Sequence, residues 1–391
     1  MREAEVQERR VIGLDVHPYL FSAAALSGPD AARARPEWVV DRVGLDRLEG
    51  VLSKRARPGD VIALEASGNS FAVAERLGAL GLNVVVLESQ SVGQVGKTYC
   101  ATDKVDAVKI ARVYLSGLAH PVWIPDGKAA ERRELFFAHR NAVRDSTRGR
   151  NRIWAYLNQH GVRRPKGLRL AGRHALEALL ALRDWTPLQQ LVLAQQLTAF
   201  QEAEARRRRL REEIAVEVAS DPDLLKMIRL LGIRDKVAFA LAAFIGKIDR
   251  FENPKKLVAY FGLNPCVHLS GIGGGTGQLS HSGRADVRAL LIQAAHSILR
   301  HGRGPTPRWA IALKMRKGHN VAVAALARKL VVSVWYLLKG FFTPLTDVTE
   351  TLRVKLHKIA SEIGRRRLHQ MGFPTVVAFE RQKREILLQT V

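Results

Sequence analysis

A chain of 391 residues can bury two or three hydrophobic cores, and 47% hydrophobic with 25% charged residues is the balance of a soluble globular protein. Its 62 Lys and Arg against 37 Asp and Glu give a formal net charge of +25, which calls for an anionic partner, nucleic acid first. The composition argues against a membrane span, a secretory signal and a disulfide or zinc framework. No apolar run approaches the roughly 18–20 residues of a span, MREAEVQERR is a charged start, and Cys100 and Cys266 are the two cysteines.

In chain order, the first elements read as strands: VIGLDV (11–16), LFSAAALS (20–27) and EWVVDR (37–42). A short helix over 44–54 precedes a buried-strand pattern, DVIALEAS (60–67). FAVAERLGALG (71–81) has helical periodicity with a glycine stop, NVVVLES (83–89) is a further strand, and a helix opens at Asp103 and runs to about Leu115. Three strands followed by alternating helix and strand predict an α/β domain with a mixed sheet.

Beyond HPVWIPDG (120–127) the strand signals stop. Residues 129–160 and 174–218 read as two long charged helices, an antiparallel pair or coiled coil, with Leu135, Ala138, Ala142, Ile153, Tyr156 and Leu157 as the apolar stripe of the first. This region is strongly basic: residues 131–175 hold twelve Arg or Lys and three acids, and Arg206, Arg207, Arg208 and Arg209 follow one another. LLKMIRLLGIRDKVAFALAAFIG then reads as two helices joined at Gly232-Ile233-Arg234. Such a helix–hairpin–helix grips a phosphate backbone through its turn, with Gly232, Arg234 and Lys236 as contacts; a plain αα-hairpin has the same pattern. A Gly-rich segment, SGIGGGTGQLSHSGRADVR (270–288), reads as a loop, followed by a helix over 286–300. The last 50 or so residues read as a basic helical tail.

Two groups of residues can carry chemistry. Asp15 and Glu65 close strands, and Asp103 and Asp106 open a helix, which are the places that converge on a site in open α/β sheets. Four carboxylates together need cations, and an oxygen-only set favours Mg²⁺ or Mn²⁺, two ions being able to work on one phosphodiester. Taken singly, each acid has a plain role at a turn or helix start. The Gly-rich segment lacks the lysine of a phosphate loop. It carries the hydroxyls of Ser270, Ser280 and Ser282, with Arg284 and Arg288 near in sequence to bind phosphate.

Together these residues resemble the DEDD-type transposases of the insertion-sequence class that includes the pilin-gene DNA inverting recombinases. The resemblance spans about residues 10–335. It rests on Ile12-Gly13-Leu14-Asp15-Val16, Leu64-Glu65-Ala66-Ser67-Gly68, Thr102-Asp103-Lys104-Val105-Asp106-Ala107, Arg250-Phe251, Tyr260-Phe261-Gly262-Leu263-Asn264-Pro265, Ser270-Gly271, and Gly283 with Arg288. It implies a RuvC-like, RNase H-type α/β domain (8–125), a helical coiled-coil insert (128–218), a mainly α transposase domain (219–340) and the tail (341–391). It further implies that Asp15, Glu65, Asp103 and Asp106 bind Mg²⁺ or Mn²⁺, and that Ser270 attacks DNA to give a covalent phosphoserine intermediate, with Gly271 beside it on the nucleic acid. Its implied partners are the double-stranded DNA of element ends and target, an element-encoded guide RNA and further copies of the chain. The expected setting is a reducing, nucleoid-associated cytoplasm. The alternatives are a RuvC-like nuclease such as a junction resolvase, working through activated water, and a non-catalytic nucleic-acid-binding remnant.

Overall fold

The computed structural model describes residues 9–95, 103–270, 273–280, 283–341 and 351–389. Two compact units divide the chain, Met1–Pro125 and Asp126–Val391.

In the first unit β1 (Arg9–Val16), β2 (Leu20–Gly28) and β3 (Arg35–Gly44) form an antiparallel meander. After α1 (Leu48–Arg55), strand β4 (Val61–Glu65) lies parallel to β1; after α2 (Ser70–Gly78), β5 (Asn83–Leu87) lies parallel to β4. Helices α3 (Ser89–Val95) and α4 (Asp103–Leu115) lead to a short antiparallel edge, β6 (Pro121–Val122). The sheet order is β3-β2-β1-β4-β5-β6, a mixed sheet as the strand pattern predicts.

The central strands are buried on both faces, which is why VIGLDV and VIALE read as continuous apolar runs rather than alternating ones. Ile12, Leu14, Ile62 and Leu64 meet Leu52, Val73 and Leu77 of α1 and α2. Val11, Ala63 and Leu87 point the other way and meet Ala107, Ile110 and Ala111 of α4. Gly13 lies on this second face because it alternates with Ile12 and Leu14. A Cβ there would stand 2.0 Å from the Ala107 carbonyl oxygen, so α4 rests directly on the backbone of β1.

The second unit opens with α5 (Gly127–Gln159), capped by Asp126, whose carboxylate accepts the Ala129 N–H at 2.9 Å. The predicted second long helix is two helices, α6 (Ala175–Leu180) and α7 (Pro187–Ser220). The break comes from Thr186, Pro187 and Gln189: a capping box with proline at the first turn starts a new helix. The α5 stripe also differs from the expected one. Ala138 is exposed, and Phe136, His139, Ala142, Ser146, Gly149, Ile153 and Leu157 are buried. The seam therefore contains polar groups, and it is built around them. Ser146 donates to Glu204 at 2.8 Å, Arg132 pairs with Asp221 at 2.6 Å, and Arg211 pairs with Asp235. The Arg207 hydrogen bonds, helped by Ser146, hold Glu204 down to about 2; burial pushes the Asp221 carboxyl up, but Arg132 and Lys128 outweigh it and leave it at about 2.

His139 is 8% exposed and its pKa is lowered to about 4, by burial first and then by the neighbouring charges of Lys236, Arg211 and Arg207, with Glu362 opposing them. The unfolded chain takes up this proton near 6.5 and the folded chain only near 4. Stability is thus complete above the upper value and lost as pH falls towards the lower one, by about 3 kcal/mol. Between pH 7 and pH 5, urea denaturation is expected to show about 2 kcal/mol of this loss in wild type and most of it removed in His139→Leu; an equal loss in both would contradict this assignment.

Helices α8 (Pro222–Met227) and α9 (Asp235–Ile245) follow, then α10 (Pro254–Tyr260). The Gly-rich segment read as a loop contains a hairpin, β7 (Pro265–Ser270) with β8 (Gly273–Leu279). Helix α11 (Ala285–His301) packs on α9, α13 (His319–Leu338) packs on α10 and α11, and α12 (Pro305–Lys317) packs on α13. By length and composition α13 could cross a membrane, contrary to the absence of such a run expected from sequence. Its Leu326, Leu330, Val331 and Val334 are instead in the core of this unit. Residues beyond 350 form α14 (Leu352–Ile363), α15 (Arg365–Gln370) and α16 (Val376–Gln389), and Leu352, Leu356, Ile359, Phe379 and Leu387 enter that same core.

Candidate active site

The register of β1 on β4 sets the geometry of the acids. Leu14 pairs with Leu64, so the next residues, Asp15 and Glu65, end neighbouring parallel strands side by side. Both share the face of Gly13, Ala63 and Leu87, the face that α4 covers. Asp103 begins α4 one turn before Ala107, whose carbonyl touches Gly13; its side chain lies outside the described residues. Asp106 is half-buried, one turn before the buried Ile110. The fold thus delivers two strand ends and one helix start to the same face of one sheet. Among the described residues, no three His, Cys, Asp or Glu side chains form a group ready to hold a metal ion.

Several residues around the acids have no signal in the sequence. His17 Nε2 stands 3.4 Å from an Asp15 carboxylate oxygen. Asn69 donates to the His17 carbonyl at 3.1 Å, tying the loop that follows Asp15 to the loop that follows Glu65. Across the antiparallel pair, Asp15 faces Ser22, whose hydroxyl donates to Asp41 at 2.8 Å and accepts the Arg42 N–H at 3.1 Å. The Asn69–His17 and Ser22–Asp41 contacts join positions 52 and 19 apart in the chain, so no local pattern could have announced them.

Ser270 is the last residue of β7 and pairs with Gly273 at the hairpin tip; its side chain, and all of Gly271 and Ser282, lie outside the described residues. At the other end Pro265 pairs with Leu279, and the Ser280 N–H donates to the Asn264 carbonyl at 2.8 Å. The strand between these ends is about 16 Å long. Arg284, at the base, is therefore a full strand length from the tip, although the sequence places it near all three serines.

The remaining basic candidates divide by environment. Arg206, Arg234 and Lys236 are exposed. Arg207 makes two hydrogen bonds to Glu204, at 2.6 and 2.8 Å, and Arg288 bonds weakly to the Phe261 carbonyl at 3.4 Å. Gly232 turns the chain between α8 and α9 with a φ of +73°, and an added Cβ would stand 2.5 Å from Ile298 of α11. Lys355 of α14 holds the carbonyls of Ile228 and Leu230 at 2.6 and 2.8 Å.

Two family models match in the chain order of these sites: a DEDD transposase model of the IS110 group over residues 12–162, and the model described as "Transposase IS116/IS110/IS902 family" over residues 226–309. The chain belongs to the IS110 family of DEDD transposases. The match holds across whole relatives. A Pseudomonas aeruginosa protein named "Probable family 20 transposase" is 29% identical over 84% of this chain and 96% of its own length. The "Transposase for insertion sequence element IS1111A" of Coxiella burnetii is 24% identical over 86% of this chain and 92% of its own. The "Transposase for insertion sequence element IS1328" of Yersinia enterocolitica is 24% identical over 71% of this chain and 83% of its own. This transposase therefore binds DNA, and cuts and rejoins its strands as an enzyme. Its family carries divalent-metal dependence.

Proposed function

We propose that this IS110-family transposase exchanges DNA strands for an insertion sequence with Asp15, Glu65, Asp103 and Asp106 as metal ligands and Ser270 as nucleophile. The reading is carried by one observation: the β1–β4 register sets Asp15 beside Glu65 under the helix that Asp103 opens. The donor set fits a hard divalent ion, since Asp15 and Glu65 offer only oxygen atoms and both remain partly open to solvent. Bound Mg²⁺ or Mn²⁺, in a pair, would supply charge neutralisation at the phosphodiester. The first unit is read as a RuvC-like, RNase H-type domain (8–125) whose sheet fixes two of the ligands and whose α4 brings the other two.

In the second unit, residues 128–218 form a coiled-coil insert and 219–340 a transposase domain. Ser270 Oγ attacks phosphorus, its proton passing to solvent or a neighbouring base, while the bond to one strand's oxygen breaks and that strand leaves as a hydroxyl. The new serine phosphodiester stores the bond energy, so a second hydroxyl can displace Ser270 and rejoin DNA without a nucleotide cofactor. Because the acids and Ser270 belong to different units, the reaction needs both brought to one phosphodiester. Further copies of the chain in a dimer or tetramer would provide for two DNAs. A guide RNA from the element is proposed to lie along the basic insert, Arg206 and the residues from Arg163 to Arg173 supplying cations. The expected setting is the cytoplasm.

The test compares strand cleavage in Mg²⁺ by wild type and Ser270→Ala on element-end DNA with co-expressed RNA. Loss of cleavage in Ser270→Ala with DNA binding kept supports the serine route. Undiminished cleavage would transfer the chemistry to activated water, as in a junction resolvase, and no cleavage by wild type with binding retained would leave a binding remnant.

A further inference from the structure

Three arginines from separate parts of the second unit converge near the base of the β7–β8 hairpin. Arg133 comes from α5, Arg250 from the short 3-10 turn Ile248–Arg250, and Arg284 from the residue that precedes α11. The guanidinium of Arg284 lies 4.3 Å from the ring centre of Phe244, and that of Arg133 lies 5.1 Å from the same ring. Arg250 lies over Tyr260 at 4.6 Å and over Phe251 at 4.1 Å. Tyr260 joins the group: its hydroxyl accepts from Arg133 at 3.4 Å, and its carbonyl accepts the Arg284 backbone N–H at 3.1 Å.

Two of the three have a structural task. Arg133 donates to the Ala243 carbonyl at 3.0 Å, and Arg250 to those of Phe244 and Ile245 at 2.9 and 2.8 Å. These are the last carbonyls of α9, which lack partners in the helix and attract cations. Arg284 does not share this task. Its Nε is buried without a hydrogen-bond partner, and no carboxylate pairs with it among the described residues. Asp286, the acid nearest to it in sequence, pairs with Arg140.

The backbone rather than the side chain fixes where Arg284 stands. Gly283 has a φ of +98°, and a Cβ on it would be 2.4 Å from the Tyr260 carbonyl oxygen. Burial lowers the Arg133 pKa, and the charges of Arg284 and Arg250 add to the effect. A fold that holds three like charges so closely gains by adding an anion. The planar forks of guanidinium suit a phosphate oxygen pair, and aromatic faces beneath them keep the forks oriented.

We propose that Arg133, Arg250 and Arg284 form a seat for one backbone phosphate of double-stranded DNA, with Arg284 making the direct contact. The seat rests on DNA binding by the transposase and not on the serine chemistry, so it stands or falls separately from Ser270. It lies a strand length from the hairpin tip that ends β7 at Ser270.

The experiment measures binding of the full chain to a labelled 30-base-pair duplex by fluorescence anisotropy across a NaCl series. Arg284→Gln is expected to weaken binding and to reduce the magnitude of the log–log salt slope by about 0.9, the share of one phosphate contact. Arg284→Lys is expected to keep the slope. The Tm of Arg284→Gln should be unchanged or higher, since a repelling cation is gone. An unchanged slope, with or without a fall in Tm, overturns the proposal, as does a slope change seen with single-stranded RNA and not with duplex DNA. Phenylglyoxal labelling of the wild-type chain, mapped by peptide mass spectrometry, needs no variant: bound duplex should shield Arg284, and equal labelling with and without duplex overturns the seat.

Discussion

The Asp15→Asn protein is expected to cleave DNA at least about a thousandfold more slowly than wild type, while binding DNA equally well and melting no lower. The change keeps size and shape but removes the negative charge and one strong oxygen donor. The backbone pairing of β1 on β4 sets Asp15 beside Glu65, so the strand end keeps its position when the charge is lost. Its side chain is 20% exposed, and removing a charge beside another carboxylate does not destabilise the fold. Strand cleavage in Mg²⁺, DNA anisotropy and Tm together check this. Cleavage within tenfold of wild type would remove Asp15 from the reaction.

The Gly13→Ala protein is expected to lose stability by about 3 kcal/mol or more, at the upper end of overpacking effects, and to lose cleavage with it. A single methyl group at this position would stand 2.0 Å from the Ala107 carbonyl oxygen and 2.7 Å from the Ala111 backbone nitrogen. Neither atom can swing aside as a side-chain tip would, so the whole of α4 must move off β1. Since α4 carries Asp103 and Asp106, a shift of about 1 Å costs on the order of a hundredfold in rate even in molecules that remain folded. Gly50→Ala is the control. Its added Cβ meets nothing within 4 Å, and alanine favours the helix in which it lies. Urea denaturation and cleavage measured on both variants separate the effects; a Gly13→Ala protein as stable and active as Gly50→Ala would refute the close packing of α4 on β1.

The mixed sheet was legible because burial on both faces leaves runs such as VIGLDV and VIALE, and because Asp103 marks a helix start. Strand ends made Asp15 and Glu65 candidates, and pairing register, which the sequence does not encode locally, turned them into neighbours. The β7–β8 hairpin was not legible. Gly273, Gly274 and Gly275 have no side chains to show alternation, and glycine disfavours strands, so pairing with His268, Leu269 and Ser270 decides the structure there. The α5 seam was misplaced over its first turns because a buried His139 and Ser146 break the apolar stripe, and only their partners on other helices explain them. The residues after 350 read as a basic tail because their surface is charged, whereas Leu356, Ile359 and Phe379 fill the core of the second unit. The arginine cluster was hidden for a related reason: Arg133, Arg250 and Arg284 are 34 to 151 positions apart in sequence and meet only around Phe244 and Tyr260.

The most direct measurement is the mass of the protein–DNA adduct. Wild-type transposase is incubated with element-end DNA, co-expressed RNA and Mg²⁺, quenched in denaturant, digested and examined by peptide mass spectrometry. A phosphoserine-linked nucleotide is expected on the peptide containing Ser270, absent from Ser270→Ala and from Asp15→Asn. Efficient cleavage with no adduct, or an adduct on Ser280 or Ser282 in its place, would contradict it.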